Sequence, residues 1–231
     1  MFLWRGEAMP GVAVAFTDIR AGNLALHVKD NASDVLRRRL EVEEAAGIAP
    51  RTFQYLNQVH GNTVASVDIG TQGVITADAS VSESAPLAIM VADCIPVLLV
   101  GVKENGGAVM GTAHAGRPGI LNGVIPAAVH HLRERGAVSI RAWLGPSICG
   151  RCYEVPDELR AAVAETVPES WSTTSWGTPA LDLPAAGKYQ LAKAGVTVAY
   201  EGPCTLETPN LFSYRRAADT GRFAGLVWNN D

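Results

Sequence analysis

Leu87-Ala-Ile-Met-Val-Ala92, Val97-Leu-Leu-Val-Gly-Val102 and Ala108-Val-Met-Gly-Thr-Ala113 are apolar runs separated by Asp93-Cys-Ile-Pro96 and Glu104-Asn-Gly-Gly107. Runs this short, rich in branched residues and bounded by turn formers, read as buried strands rather than helices. They are expected to be three neighbours, so that residues at the strand ends can meet at one mouth of the sheet. Asp93 interrupts the most apolar segment and Lys103 ends it, which makes it too short to span a bilayer. Working outward, Asp34 to Ala46 reads as a helix with Val35, Leu40 and Val42 on one stripe and Gly47 at its end. Further helical patterns cover Ile120 to Arg135, weakened by Gly123 and Pro126, then Asp157 to Thr166 and Ala185 to Ala194. Strands are expected at Ile140 to Leu144, Val196 to Tyr200 and Ala224 to Trp228. Strands and helices mix without a strict βαβ rhythm. The expected fold class is therefore α/β, with mixed layered β-sheets covered by helices rather than a barrel or a Rossmann domain.

The 231 residues, 48% of them hydrophobic, can bury one full core, and a single domain over 1–231 is expected. The formal net charge of −4 and the lack of a Lys/Arg run give no footprint for nucleic acid, so the expected partner is a small molecule. Arg5 and Glu7 interrupt the N-terminal apolar residues, which does not fit a signal peptide; a cytoplasmic protein with no membrane partner is expected. Four cysteines then favour thiols available for metal or catalysis over a disulfide framework.

Cys94 follows the first central strand and His114 ends the third, while His60 lies in Asn57-Gln-Val-His-Gly61, where the glycine indicates a loop that allows close backbone approach. Two imidazoles and one thiolate make a three-ligand zinc set with a fourth position for water or substrate, the pattern of a catalytic site. Spacing alone does not separate this from a small buried cysteine beside unrelated histidines.

The local words add to it. Asn57-Gln-Val-His-Gly61, Ala92-Asp-Cys-Ile-Pro-Val-Leu-Leu99, Ala113-His-Ala-Gly116, Gly145-Pro-Ser-Ile148, Cys152-Tyr-Glu-Val155, Leu181-Asp-Leu183 and Phe212-Ser-Tyr-Arg-Arg216 occur in this order. Together, from about Ala15 to Trp228, the chain resembles the YfiH-like family, also called the laccase-domain, multicopper polyphenol oxidase or purine nucleoside phosphorylase family. The resemblance implies an α-β-β-α sandwich and zinc held by His60, Cys94 and His114, which would also be the catalytic residues. It implies phosphorolysis of adenosine, inosine and methylthioadenosine to free base and sugar 1-phosphate, with adenosine deamination at the same site. Nucleoside and phosphate would be the partners; oligomeric state is left open. Asn57 and Arg215 are the expected substrate-binding residues, and Arg37 or Arg38 are further phosphate candidates because guanidinium suits the anion in charge and geometry. One departure stands out: the family's His-Ala-Gly-Trp-Arg-Gly is here His114-Ala-Gly-Arg-Pro-Gly119, with Arg117 and Pro118 in place of Trp and Arg.

Other residues carry weaker readings. Cys149-Gly-Arg-Cys152 looks like half a zinc ribbon, but no second Cys-x-x-Cys or finger-spaced His pair follows; Cys152 reads as a pocket-wall or core residue and Cys204 as a buried thiol. His130 and His131, adjacent on a helix, cannot share a metal-binding face. Asp93 is expected to point away from Cys94 if the pleat continues. Asp78 and Glu154 are expected to make structural hydrogen bonds rather than to carry protons. The zinc cytidine-deaminase signature, the Gly-x-Ser-x-Gly elbow, the dinucleotide fingerprint and the P-loop are all missing. Five histidines with no His-x-His pair argue against a multicopper oxidase, so copper is expected less than zinc. A peptidoglycan-editing amidase acting on UDP-N-acetylmuramyl-L-serine is the alternative within the family, since a bound zinc can also activate water against an amide. A purely structural metal fits less well, because such sites usually close with four ligands.

Overall fold

The computed structural model describes residues 1–230. In chain order the strands are β1 (Phe2–Met9), β2 (Val12–Thr17), β3 (Leu56–Asn57), β4 (Val64–Ser66), β5 (Ile75–Thr76), β6 (Ala79–Ser82) and β7 (Leu87–Val91). They continue with β8 (Ile95–Lys103), β9 (Ala108–Ala115), β10 (Ala137–Leu144), β11 (Trp171–Thr173), β12 (Pro179–Leu181), β13 (Thr197–Glu201) and β14 (Phe223–Asn229). The helices are α1 (Ala32–Ala46), α2 (Arg117–Leu121), α3 (Val124–Glu134), α4 (Asp157–Thr166) and α5 (Leu183–Lys193).

The three apolar runs are indeed strands, but they do not share one sheet. β8 and β9 pair antiparallel, with Leu98 opposite Thr112, in a six-stranded sheet of order β13-β10-β8-β9-β6-β4. β7 instead pairs with β14, Ile89 opposite Gly225, in a four-stranded sheet of order β1-β2-β14-β7. The chain changes sheet at Asp93, whose φ of 87° breaks the extended backbone that a continuing strand would need. Apolar composition marks burial; it does not tell which sheet a strand joins.

The alternation along β8 shows the layering. Val97 and Leu99 face α3 and α5, packing with Val129, Leu132 and Leu191, whereas Leu98 and Val100 face the other sheet, packing with Phe16, Ile89 and Val227. The outer face of the smaller sheet places Ala15, Leu226 and Trp228 against Val42 and Ala46 of α1. The result is the α-β-β-α sandwich, with β-sheets as the two inner layers.

Local chemistry sets several boundaries. Asn31 caps α1 by accepting from the Ser33 amide, and Gly47 ends it in the left-handed conformation. The helix read over Ile120 to Arg135 is split: α2 ends at Asn122, and Gly123, at φ 75°, starts α3. Asp182 caps α5 through the Ala185 amide, so that helix begins before Ala185. The β1–β2 hairpin was not expected, because Arg5, Gly6 and Glu7 interrupt any apolar run along its edge strand. Among the described residues no helix is long and apolar enough to cross a membrane.

Leu98 is fully buried between the sheets. Leu98→Ala should therefore lower unfolding free energy by roughly 2–5 kcal/mol, measured by urea denaturation; a loss below about 1 kcal/mol would mean that the inter-sheet core tolerates a cavity there. A second expectation concerns acid. Burial pushes the Asp18 carboxyl up, but hydrogen bonds from the Arg20 side chain and backbone amide outweigh it and hold the group below its ordinary value. Its contribution is thus present above the ordinary carboxylate range and lost as pH falls through the lowered folded value. Asp18→Asn should flatten the acid limb of the stability profile, and an unchanged limb would contradict this assignment.

Candidate active site

The site forms where the chain turns from one sheet to the other. Asp93 is buried at this corner; its Oδ1 accepts from Thr205 Oγ1 at 2.5 Å and its Oδ2 from the Arg215 amide at 2.7 Å. These bonds tie two later loops to the corner, and Cys94, the next residue, faces the cavity they enclose. The pleat on which Asp93 was expected to point away from Cys94 does not continue here: the strand is broken at Asp93, both residues line the cavity, and the role of Asp93 is to hold the loops in place.

His114 lies on β9 opposite Pro96, which brings it beside Cys94. His60 comes from the Asn57–Gly61 loop in a left-handed backbone conformation, φ 62°, uncommon for a residue with a side chain. Asp78 holds that loop. Its carboxylate accepts from the backbone amides of Val59 at 3.1 Å, His60 at 2.8 Å and Gly61 at 2.7 Å, and from His114 Nδ1 at 2.9 Å. The bond to Nδ1 leaves His114 Nε2 as the nitrogen free to bind a ligand. His60 Nε2 lies 3.9 Å from Cys94 Sγ, the two imidazole centroids are 4.5 Å apart, and the three ligand atoms lie within 4.8 Å of one another. Bonds of about 2.0–2.3 Å to a tetrahedral zinc separate its ligands by roughly 3.3–3.8 Å, so small side-chain movements suffice for coordination. Gly116 leaves the room: a Cβ there would stand 2.8 Å from Cys94 Sγ and 3.0 Å from His60 Cδ2.

The electrostatics suit a cation. Burial pushes the Cys94 thiol up, but His114 and His60 outweigh it and lower the pKa to about 6. Burial pushes His114 down, while Cys94 and Asp78 raise it to about 9. Without metal, the pair is a thiolate beside an imidazolium, and a divalent ion can take the place of the imidazolium proton. The donor set, one soft thiolate and two imidazoles with a carboxylate orienting one of them, fits zinc.

These three residues form one end of a cavity of about 460 Å³. Its walls carry Arg117, Arg215, Arg222 and His27, together with the apolar and aromatic surfaces of Val91, Ile148, Leu183, Tyr153 and Tyr214. Ion pairs engage Arg20, Arg37, Arg38, Arg135, Arg151 and Arg160; among the described residues Arg117, Arg215 and Arg222 are outside this set. Arg215 donates to the Glu154 carbonyl at 2.8 Å and lies 5.0 Å from the centre of the Tyr153 ring. Arg222 lies 5.9 Å from the centre of the Tyr214 ring.

The other expected residues lie elsewhere. Asn57 donates to Thr76 Oγ1 at 3.0 Å and is not in the cavity wall, which its neighbour Gln58 reaches. Gln58 is locked against β7 by bonds to the Met90 amide and carbonyl. Arg37 pairs with Asp34 and Glu41, and Arg38 with Asp30, so α1 supplies no cation to the cavity. Glu154 accepts from Trp176 Nε1 at 2.7 Å. His130 and His131 sit on α3, away from the cavity. Arg117 does line it, from the position where the family word has Trp. Sequence reasoning missed His27 and Arg222, which stand alone in loops; Asp78, a single acid between Ala77 and Ala79 in an apolar segment, carried a signal that could have been weighted more heavily.

An α-β-β-α sandwich that brings two imidazoles and a thiol into a basic, partly apolar cavity defines the class of protein. The family model described as multi-copper polyphenol oxidoreductase laccase matches residues 11–230, and the chain belongs to this YfiH-like family. It is 46% identical over 231 residues to a purine nucleoside phosphorylase of Streptomyces griseus, covering 93% of each chain. It is 42% identical to a purine nucleoside phosphorylase of Streptomyces coelicolor, covering 96% of this chain and 97% of the relative. Among solved structures, a Neisseria meningitidis protein superposes with a TM-score of 0.85 at 31% identity, covering 100% of this chain and 99% of that one. YlmD from Geobacillus stearothermophilus superposes with a TM-score of 0.83 at 28% identity, covering 96% and 93%.

Asp78→Asn should lower metal affinity by roughly 10- to 100-fold, because it weakens the partner that orients His114 and gathers the His60 loop. Competition with a chelating dye measures this. Unchanged affinity in a folded variant would mean that the two histidines are positioned without the carboxylate.

Proposed function

We propose that the protein is a zinc-dependent purine nucleoside phosphorylase that acts on adenosine, inosine and methylthioadenosine and deaminates adenosine at the same site. The observation that carries the proposal is the pairing, in one cavity, of a three-ligand candidate metal set with three arginines, Arg117, Arg215 and Arg222, that are engaged in no close ion pair among the described residues. The names of the Streptomyces relatives support the same reading. Zinc bound by His60, Cys94 and His114 would supply a Lewis acid at the floor of the cavity, with a coordination position left open.

The chain's own residues account for the rest. Phosphorolysis breaks the bond between C1′ and the base nitrogen and forms one from C1′ to a phosphate oxygen, so the phosphate must be held against the sugar face. Arg117, Arg215 and Arg222 offer fixed positive charge and forked donors for it. Positive charge develops on the sugar in the transition state, and a phosphate dianion held by these arginines would stabilise it. Val91, Ile148 and Leu183 give a purine apolar contact, and the Tyr214 ring offers a stacking face. Burial raises the Tyr153 hydroxyl pKa, although Arg117 pulls the other way. Tyr153 therefore keeps its proton and can donate a hydrogen bond to the departing base. Cys94 acts as a ligand rather than as an attacking group.

The family's oxidase description asks for more ligands than the cavity offers. Of the five histidines, His27, His60 and His114 line it, beside Cys94 alone.

The test is zinc-loaded protein incubated with adenosine, with and without phosphate, and products separated by chromatography. Adenine and ribose 1-phosphate should form only with phosphate, and inosine should form without it. If neither appears, the phosphorylase reading fails, and release of L-serine from UDP-N-acetylmuramyl-L-serine or oxygen uptake with a phenol would replace it. Arg215→Ala should raise the phosphate requirement by about tenfold, since a charge-assisted hydrogen bond contributes roughly 1.5–3 kcal/mol. Deamination should fall much less. Parallel loss of both activities and of melting temperature would instead make Arg215 a brace acting through the Glu154 carbonyl.

A further inference from the structure

A second cluster of metal-ligand side chains lies outside the cavity. Cys149 and Cys152 sit in the loop after β10, where the amides of Cys152 and Tyr153 both donate to the Cys149 carbonyl at 3.0 Å and close a tight turn. Cys204 and Glu207 sit in the loop after β13. The two loops are joined at Ser147, which donates to the Pro203 carbonyl at 3.3 Å and accepts from the Thr205 amide at 3.1 Å. The Cys149 amide points at Cys204 Sγ, 3.4 Å away, and Cys152 Sγ is 3.6 Å from Glu207 Oε1. Three sulfurs and a carboxylate oxygen all lie within 4.8 Å of one another, and all three cysteines are free thiols.

The geometry points to a structural zinc site formed by Cys149, Cys152, Cys204 and Glu207. Soft sulfur donors select zinc over calcium or magnesium, and four protein ligands close the coordination sphere as structural zinc requires. Sequence reading discounted Cys149-Gly-Arg-Cys152 because no partner pair follows at finger spacing. The partners come instead from more than 50 residues downstream, through the pairing of the β10 and β13 loops, at |i−j| of 55 for both Cys149–Cys204 and Cys152–Glu207.

The placement gives the ion a purpose. Ile148 and Tyr153 flank the Cys149–Cys152 turn and line the active cavity. Thr205, between the other two ligands, holds Asp93, which also holds the Arg215 amide. Clamping the two loops therefore fixes the part of the cavity wall that Ile148, Tyr153 and Arg215 form. The site differs from the catalytic set in being closed, and it stands on geometry that owes nothing to the phosphorylase reading.

The experiment is metal counting on full-length protein purified under reducing conditions, stripped, reloaded with zinc and freed of excess. Two zinc ions per chain are expected in the unaltered protein, one in Cys94→Ser, and one in Cys149→Ser/Cys204→Ser, which should retain the ion at His60, Cys94 and His114. Cobalt provides a readout on the unaltered protein should the double variant fail to fold. Its sulfur-to-metal charge-transfer absorption should grow in two phases, the larger from the three-thiolate site, and Glu207→Gln should weaken that larger phase by about tenfold or more in affinity. One zinc per chain that disappears with Cys94→Ser, a single cobalt phase, or a mass two hydrogens lower that shows a disulfide among these cysteines in the reduced preparation would overturn the assignment.

Discussion

The carboxylate of Asp78 is buried, and charge in such a place is costly unless it is fully hydrogen-bonded. Here it accepts from three consecutive backbone amides, Val59, His60 and Gly61, and from the His114 ring. That arrangement explains several features at once. The amides of the His60 loop converge on one point, which the left-handed backbone at His60 makes possible and the bonds to Asp78 stabilise. The His114 ring is fixed in orientation and tautomer. Two histidines from distant parts of the chain thus share one anchor, and the fold itself brings the candidate ligand atoms within 4.8 Å of one another.

The opposite side of the site depends on a second buried carboxylate. Asp93 marks the passage from β7 in the smaller sheet to β8 in the larger, and its oxygens reach Thr205 and the Arg215 amide. The sandwich therefore does more than bury a core. By making the most apolar segment leave one layer and enter the other, it turns Cys94 into the cavity and gathers the loops carrying Tyr153, Tyr214 and Arg215 around it.

The sequence was most legible where one local signal sufficed. Buried strands, capped helices and the words around His60, Cys94 and His114 could be read directly, because burial, capping and motif order are properties of short segments. Sheet membership was not: β7 and β8 look alike as apolar runs, and only the φ of Asp93 separates them into different layers. The cations that line the cavity were only partly legible. Arg215 stood in a recognisable word, whereas Arg222 and His27 come from unpatterned loops, and the α1 candidates Arg37 and Arg38 proved to be paired with carboxylates. Arg117 shows how a departure from a motif can be read. The position loses an aromatic ring but brings a cation into the same cavity, beside Tyr153.

The central claim is that this fold presents His60, Cys94 and His114 as one zinc site. Anomalous diffraction from crystals of the zinc-loaded protein, recorded on both sides of the zinc absorption edge, tests it most directly. The account predicts an edge-dependent peak about 2.3 Å from Cys94 Sγ and about 2.0–2.1 Å from a ring nitrogen of His60 and from His114 Nε2. A folded, zinc-loaded protein with no such peak among these three residues would contradict it.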